Sequence, residues 1–400
     1  MKWKCFFIFI TFFTLLNATE EIPLSDPIQS GVDPTLLNRI DSVMIQAIND
    51  TLIPGGVVLV GRFNHVIYRK AFGVRNLWIK NDRMTTETVF DIASMTKPIA
   101  TAAAIWKLVE MGKLTLHDPV SLYIPEFSDY TDPRTLQKTT IRIEHLLLHS
   151  AGLPPYFVLE ALSKKIRPIN FKNLMHEIAT QTKLYEPGTK FVYSCLGYIT
   201  LGFIVEKVSG ISLNDFTQKY IYQPMGLSST TYNPPNDWKN RIAPTELKDG
   251  RFIWGTVHDP LADTIGGISG NAGLFSTVDD LARFIMMLLN DGSFQNRQIF
   301  SPLTVKAYTS LSPAFSSLGR SPGWDVSSDY NAEKGDIFAE TGFGHTGFTG
   351  TSIWTDKSTG IYLIILTNRV HPYERPNINR LRGQIANLVA AALIKPTLTD

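Results

Sequence analysis

Along this chain the spacing of apolar positions changes twice. Residues 56–61 and 65–73 are β-branched or alternate apolar with polar around a turn at 62–64, which predicts a hairpin. The pattern returns near the end, where 349–355 and 361–367 flank a turn at 356–360 and predict a second hairpin, followed by a helix from about 377 to 393. Between the hairpins the period lengthens: Met95, Ile99, Ala102, Trp106 and Val109 recur at spacings of four and three, as one buried helix face requires. Further helices are predicted over 144–149 before Gly152, over 197–208 before Gly210, and over 278–289 with Ser276 and Asp279 as its capping pair. Joining the terminal hairpins into one antiparallel sheet, with helices around it and a helical subdomain inserted between them, gives an α+β architecture.

The chain has 400 residues, 44% apolar and 18% charged, enough to bury a large core, and no repeat or linker divides it. Residues 19–400 therefore read as a single domain. A net charge of +2 from 38 basic and 36 acidic residues, with no long single-sign run, gives no footprint for nucleic acid or an anionic membrane. Lys2 and Lys4, an apolar run over 5–16, and the polar stretch Asn17, Ala18 and Thr19 predict a secretory signal peptide over 1–18. That run is shorter than the ~20 apolar residues that span a bilayer, so the mature form is expected to carry no stable span and to be periplasmic or secreted. Only Cys5 and Cys195 are present, and removal of the signal leaves Cys195 without a partner for an internal disulfide. The oligomeric state is left open.

Ser94-Met95-Thr96-Lys97 sets a hydroxyl and an amine three residues apart, on one side of a helix that begins near Ser94. Pro98 suits a helix start because it has no N–H to lose. There the Ser94 amide has no intrahelical partner and the helix dipole is positive, which suits stabilising an oxyanion.

Four segments in order carry a resemblance: Phe90-Asp91-Ile92-Ala93-Ser94-Met95-Thr96-Lys97, Leu146-Leu147-Leu148-His149-Ser150-Ala151-Gly152-Leu153, Glu186-Pro187-Gly188 leading to Tyr193-Ser194, and Gly344-His345-Thr346-Gly347. With these the chain resembles the superfamily of serine β-lactamases, penicillin-binding carboxypeptidases and esterases, and its class C and esterase branch more than class A. The resemblance implies a β-lactamase/transpeptidase-like fold and a serine hydrolase that acylates Ser94 with Lys97 and Tyr193 as its proton-handling pair. It implies no metal and no cofactor. His345, Thr346, Gly347 and Phe348 would bind substrate on an edge strand, with the Phe348 N–H completing the oxyanion hole, and Cys195 would face the substrate. Because tyrosine and lysine side chains both ordinarily titrate near pH ~10, one of Lys97 and Tyr193 is expected to be depressed.

The chain departs from the family twice. Tyr193-Ser194-Cys195 has a thiol where the family has an asparagine, and His345 replaces the lysine of Lys-Thr-Gly. Histidine, with an ordinary pKa of about 6.5, carries charge conditionally, so the chain is expected to turn over esters or peptides better than β-lactams. Ser269-Gly270-Asn271 is a rival second element, read more simply as a glycine-rich loop entering a helix. His145 and His149 share helical spacing, but Leu146 stands where a metalloprotease has its glutamate, so His149 is expected to cap or pack its helix end. His258-Asp259 is read as a structural loop contact. Substrates would be β-lactams, D-alanine-type peptides or carboxylic esters; a covalent penicillin receptor with little turnover is the other reading.

Overall fold

The computed structural model describes residues 22–328 and 330–394, so the signal peptide expected at 1–18 lies outside the described residues. Strands β1 (Gly55–Arg62) and β2 (His65–Gly73) form the first predicted hairpin. Strands β3 (Phe343–Thr346), β4 (Ser352–Thr355) and β5 (Ile361–Thr367) form a C-terminal meander. β5 pairs antiparallel with β1, from Gly56 opposite Thr367 to Arg62 opposite Ile361, giving the sheet order β3-β4-β5-β1-β2. β4 starts later than predicted because Thr349 and Thr351 leave the ladder. Their hydroxyls donate to the carbonyls of Asp91 (2.7 Å) and Ile92 (3.1 Å), in the turn that leads to Ser94.

Every residue of β1 and β5 is buried, because both faces of the sheet are covered. Side chains alternate along a strand. Val57, Leu59, Ile364 and Leu366 enter the larger core, and Val58, Val60, Leu363 and Ile365 enter a second. The second core is closed by helices α1 (Pro34–Asn49) and α6 (Asn379–Ala391). They contribute Leu37, Ile40 and Met44, and Leu381, Ile385 and Val389, at spacings of three and four. The larger core joins the sheet to the helical region.

That region holds α2 (Ala103–Glu110), α3 (Ile143–Leu147), α4 (Cys195–Ser209) and α5 (Val278–Leu289). α4 is capped by Ser194 and ends at Gly210 in the left-handed conformation, φ 75°. The cap of α5 is not the predicted one. Ser276 belongs to a short strand paired with Phe90 and bonds Thr230, Asp279 is held by Arg69, and Thr277 accepts the Asp280 N–H instead (3.3 Å).

The helix expected to start at Ser94 is irregular there. Ala93–Met95 forms one 3₁₀ turn, Lys97–Ala102 is π-helical, and regular α-helix begins at Ala103. Pro98 cannot donate to a preceding carbonyl, and the widened turn leaves carbonyls free. Tyr308 donates to the Pro98 carbonyl and Tyr222 to that of Ile99. The 266–273 loop passes between this segment and α4. A Cβ on Gly270 would lie 1.9 Å from the Tyr198 carbonyl oxygen, so only glycine fits. Thr101 fixes the loop by donating to the Gly270 carbonyl (2.7 Å).

Candidate active site

Ser94 follows a strained turn. Ala93 sits at φ 46°, a left-handed conformation unusual for alanine, and is held there because Asp91 accepts its N–H (2.8 Å). The other oxygen of Asp91 accepts the His258 backbone N–H (2.7 Å), a loop contact as expected, but His258 and Asp259 also line the cleft described below. Lys97 is wholly buried, and its Nζ donates to Ser94 Oγ (2.9 Å), to the Asn271 carbonyl (3.0 Å) and to Cys195 Sγ (3.5 Å). It also lies 4.9 Å from the centre of the Tyr193 ring. The structure therefore brings together Ser94, Lys97, Tyr193 and Cys195. Ser269 stays apart: it is buried and donates to Asn271 Oδ1 (2.7 Å), so this loop meets Lys97 through its backbone.

The order of protonation differs from the expectation. Burial opposes a charge on Lys97, but Cys195 and Tyr193 outweigh it and hold the ammonium above its ordinary range. Burial raises Tyr193 against the pull of Lys97, and raises Cys195 likewise. Neither member of the pair is depressed. The pull that holds the ammonium comes from negative charge on its neighbours and weakens as they take up protons, so the protons belong to the three groups as a coupled set and not to single residues.

Tyr193 is clamped between rings. His149 stacks on one face and Tyr330 on the other, 5.0 Å away and 11° from parallel. His149 is buried, and burial first, then Arg320 and Lys97, holds its pKa well below 6.5, so it is neutral. As expected it packs its helix end, and its Nδ1 also accepts the N–H of Ser194, the residue after Tyr193.

Ser94 and Tyr193 open into a cleft of about 1000 Å³. Thr346, Gly347 and Phe348 line it from the end of β3. Gly347 is pressed against the nucleophile turn: a Cβ there would lie 2.4 Å from the Ile92 carbonyl oxygen. Phe348 is fixed by Arg369, which donates to its carbonyl (2.8 Å) and lies over its ring, while the His258 ring stacks beside it at 5.7 Å.

His345 corrects the sequence reading. It is 5% exposed, packs behind Tyr193 at 6.0 Å, and is absent from the residues lining this cleft. Burial, Arg320 and Lys97 keep it neutral well below pH 6.5, so it carries no conditional charge for substrate. The cations that do line the cleft are Arg369, Arg375 and Arg382, none of them singled out by motif. Arg382, on α6, donates to the carbonyls of Gly347 (3.0 Å) and Thr351 (2.8 Å), faces Glu333 at 3.7 Å, and has a buried Nε with no partner. The only sequence signal for it was an arginine interrupting the apolar face of the predicted C-terminal helix.

Known proteins resemble this chain along nearly its whole length. The Beta-lactamase family model matches residues 40–387. A protein of Salmonella heidelberg named putative D-alanyl-D-alanine carboxypeptidase is 34% identical over 95% of this chain and 94% of its own. Among solved structures, EstCE1, a hydrolase with promiscuous acyltransferase activity, superposes with a TM-score of 0.71 at 24% identity, covering 91% of this chain and 100% of that one. A penicillin-binding protein homolog from Caulobacter crescentus gives 0.70 at 19% identity, over 91% and 99%. At those identities the two structures speak for the fold.

Proposed function

The chain belongs to the β-lactamase family, and from that premise we propose an exported serine hydrolase that acylates Ser94 and cleaves amide or ester substrates carrying a carboxylate, D-alanine-type peptides first among them. The observation that carries this reading is the 2.9 Å contact of Lys97 Nζ with Ser94 Oγ on the wall of a cleft shared with Tyr193. Ser94 Oγ attacks the carbonyl carbon while its proton passes to the Lys97–Tyr193 pair. The oxyanion is met by the N–H groups of Ser94 and Phe348. The pair returns the proton to the leaving amine or alcohol as its bond to carbon breaks. Water then attacks the acyl ester, gives a proton to the pair, and Ser94 leaves with its hydrogen restored.

Arg382 takes the part that the sequence assigned to His345. Its place in the cleft lining and its hold on the Gly347 carbonyl support pairing with a substrate carboxylate at the end of β3. The relatives' printed name favours a carboxypeptidase. Export rests on residues 1–18 being removed as a signal peptide, which leaves 19–400 as one hydrolase domain in the periplasm or medium. The test is release of D-alanine from a peptide ending in D-alanyl-D-alanine, with an acyl adduct on Ser94 seen by mass spectrometry. Adduct without D-alanine or ester turnover would favour the covalent receptor, and neither signal would overturn both.

A further inference from the structure

Leu77, Trp78 and Ile79 are 47, 60 and 45% exposed, three consecutive large apolar side chains on one turn. Scattered apolar surface residues are ordinary, but an exposed run is not. The turn is held rigidly. Asn76 accepts the Trp78 N–H (2.9 Å), His371 Nε2 accepts that of Leu77 (3.1 Å), and Asp82 closes the loop through its N–H to the Ile79 carbonyl and its pairing with Arg75. Phe252 packs edge-on to Trp78 at 5.3 Å, and Arg75 donates to the Asn240 carbonyl, which ties this loop to residues 236–254. Those residues add Trp238 and Trp254, each under a cation, Arg241 and Lys239.

Charge gathers in the same place. Segments 75–83 and 236–254 hold seven basic residues against four acidic, Arg75, Lys80, Arg83, Lys239, Arg241, Lys248 and Arg251 against Asp82, Asp237, Glu246 and Asp249, an excess of three where the whole chain has +2. The Arg75–Asp82 pair cancels one charge of each sign and leaves that excess of three unchanged. Protruding apolar and indole side chains inside a basic collar are the chemistry of a site that dips into the interface of an anionic bilayer.

We propose that the Leu77-Trp78-Ile79 turn and its basic collar dock this protein on the surface of an anionic lipid bilayer. The patch adjoins the cleft: Glu246 lines the cleft, and so do Glu374 and Arg375, the two residues after the exposed Tyr373. Docking there sets the cleft mouth beside the lipid surface, where substrates held at that surface reach Ser94 without leaving it. The charge of the chain as a whole hides this, because the opposite signs elsewhere cancel it.

The experiment is co-sedimentation of residues 19–400, which contain every described element, with vesicles of phosphatidylethanolamine and phosphatidylglycerol, against phosphatidylcholine vesicles. The parent should bind the anionic vesicles and lose binding as salt rises. Leu77→Ser with Trp78→Ser and Ile79→Ser should weaken partition roughly tenfold or more. Lys80→Glu with Lys248→Glu and Arg251→Glu should remove the dependence on anionic lipid. Hydrolysis of a small soluble ester should stay at the parent rate in both variants, which shows that they fold. Equal partition of parent and variants would overturn the proposal. So would a parent dimer that the apolar triple variant converts to monomer with no change in lipid binding, since the patch would then be an interface between copies.

Discussion

The imidazole of His149 lies face to face with the Tyr193 ring, centroids 4.4 Å apart and planes 28° from parallel, while its Nδ1 holds the Ser194 N–H at 3.0 Å. One side chain thus fixes both the ring and the backbone of the proposed proton-handling tyrosine. His149→Phe keeps an aromatic face and loses the acceptor; His149→Asn keeps an acceptor and loses the face. Both should lower kcat about tenfold or more with little change in KM. In a Tyr193→Phe background neither should cost much further. A full additional loss there would show that His149 acts on the fold and not through Tyr193.

Ser94→Ala should abolish labelling by a fluorophosphonate probe, read by gel fluorescence or intact mass. Ser269→Ala should keep it, because the Ser269 hydroxyl is spent on Asn271 and lies buried. Labelling of Ser269 in place of Ser94 would make the rival element the nucleophile.

Lys97 and Tyr193 are both shifted upward within one coupled group, so the form that takes the Ser94 proton is the one in which that group has lost a proton. Because both shifts are upward, kcat/KM for a neutral ester should rise with pH from neutrality into the alkaline range. Lys97→Ala, Tyr193→Phe and the double variant should each lose at least ~10²-fold, and the double should lose little more than either single. A rate that is level from about pH 6 to 9 would contradict the upward shift of the pair.

Restoring the family lysine as His345→Lys should fail to add grip on anionic substrates. It places an ammonium in a buried site already faced by Arg320 and Lys97, and should cost about 3 kcal/mol or more in denaturant unfolding. Arg382→Gln should instead lower the preference for a carboxylate-bearing substrate over a neutral ester roughly tenfold, the size expected for one charge-assisted hydrogen bond. An unchanged preference in that variant would move the carboxylate site elsewhere.

His149 and His345 are buried neutral with pKa values well below 6.5, and burial takes His145 down to about 4. Below about pH 6.5 the unfolded chain binds protons that the folded one refuses, so stability is complete above that pH and falls as pH drops. Each such histidine contributes a slope of up to about 1.4 kcal/mol per pH unit. Urea midpoints measured from about pH 7.5 down to 5 should decline, and His345→Gln should flatten the decline.

The sheet was legible because its strands are long and wholly apolar: Val57 to Val60 and Ile361 to Leu366 can lie only in a core, and two terminal hairpins each need a partner. Gly210 marked the end of α4 for a backbone reason that no packing detail could override. Caps were less readable, since whether Ser276 or Thr277 begins α5 depends on a strand pairing with Phe90 far away in sequence. The Ser94-Lys97-Tyr193 constellation came from motif order, and its geometry agrees. His345 was misjudged because four residues of strand do not say which face each side chain takes. Arg382 was missed because its significance lies in two carbonyls, those of Gly347 and Thr351, supplied by another part of the chain.

The pairing of β1 with β5 joins segments separated by nearly the whole length of the chain. During synthesis the first hairpin waits beside the ribosome with one edge open, and the Thr349 and Thr351 hydroxyls that brace the turn before Ser94 have yet to emerge. Such distant contacts close late and slowly. The five-stranded sheet and the brace on the turn before Ser94 are therefore complete only when the last strand is in place. Under the proposed export, that order of closure would leave the chain open for passage through a translocon and the proposed nucleophile unformed until passage is complete.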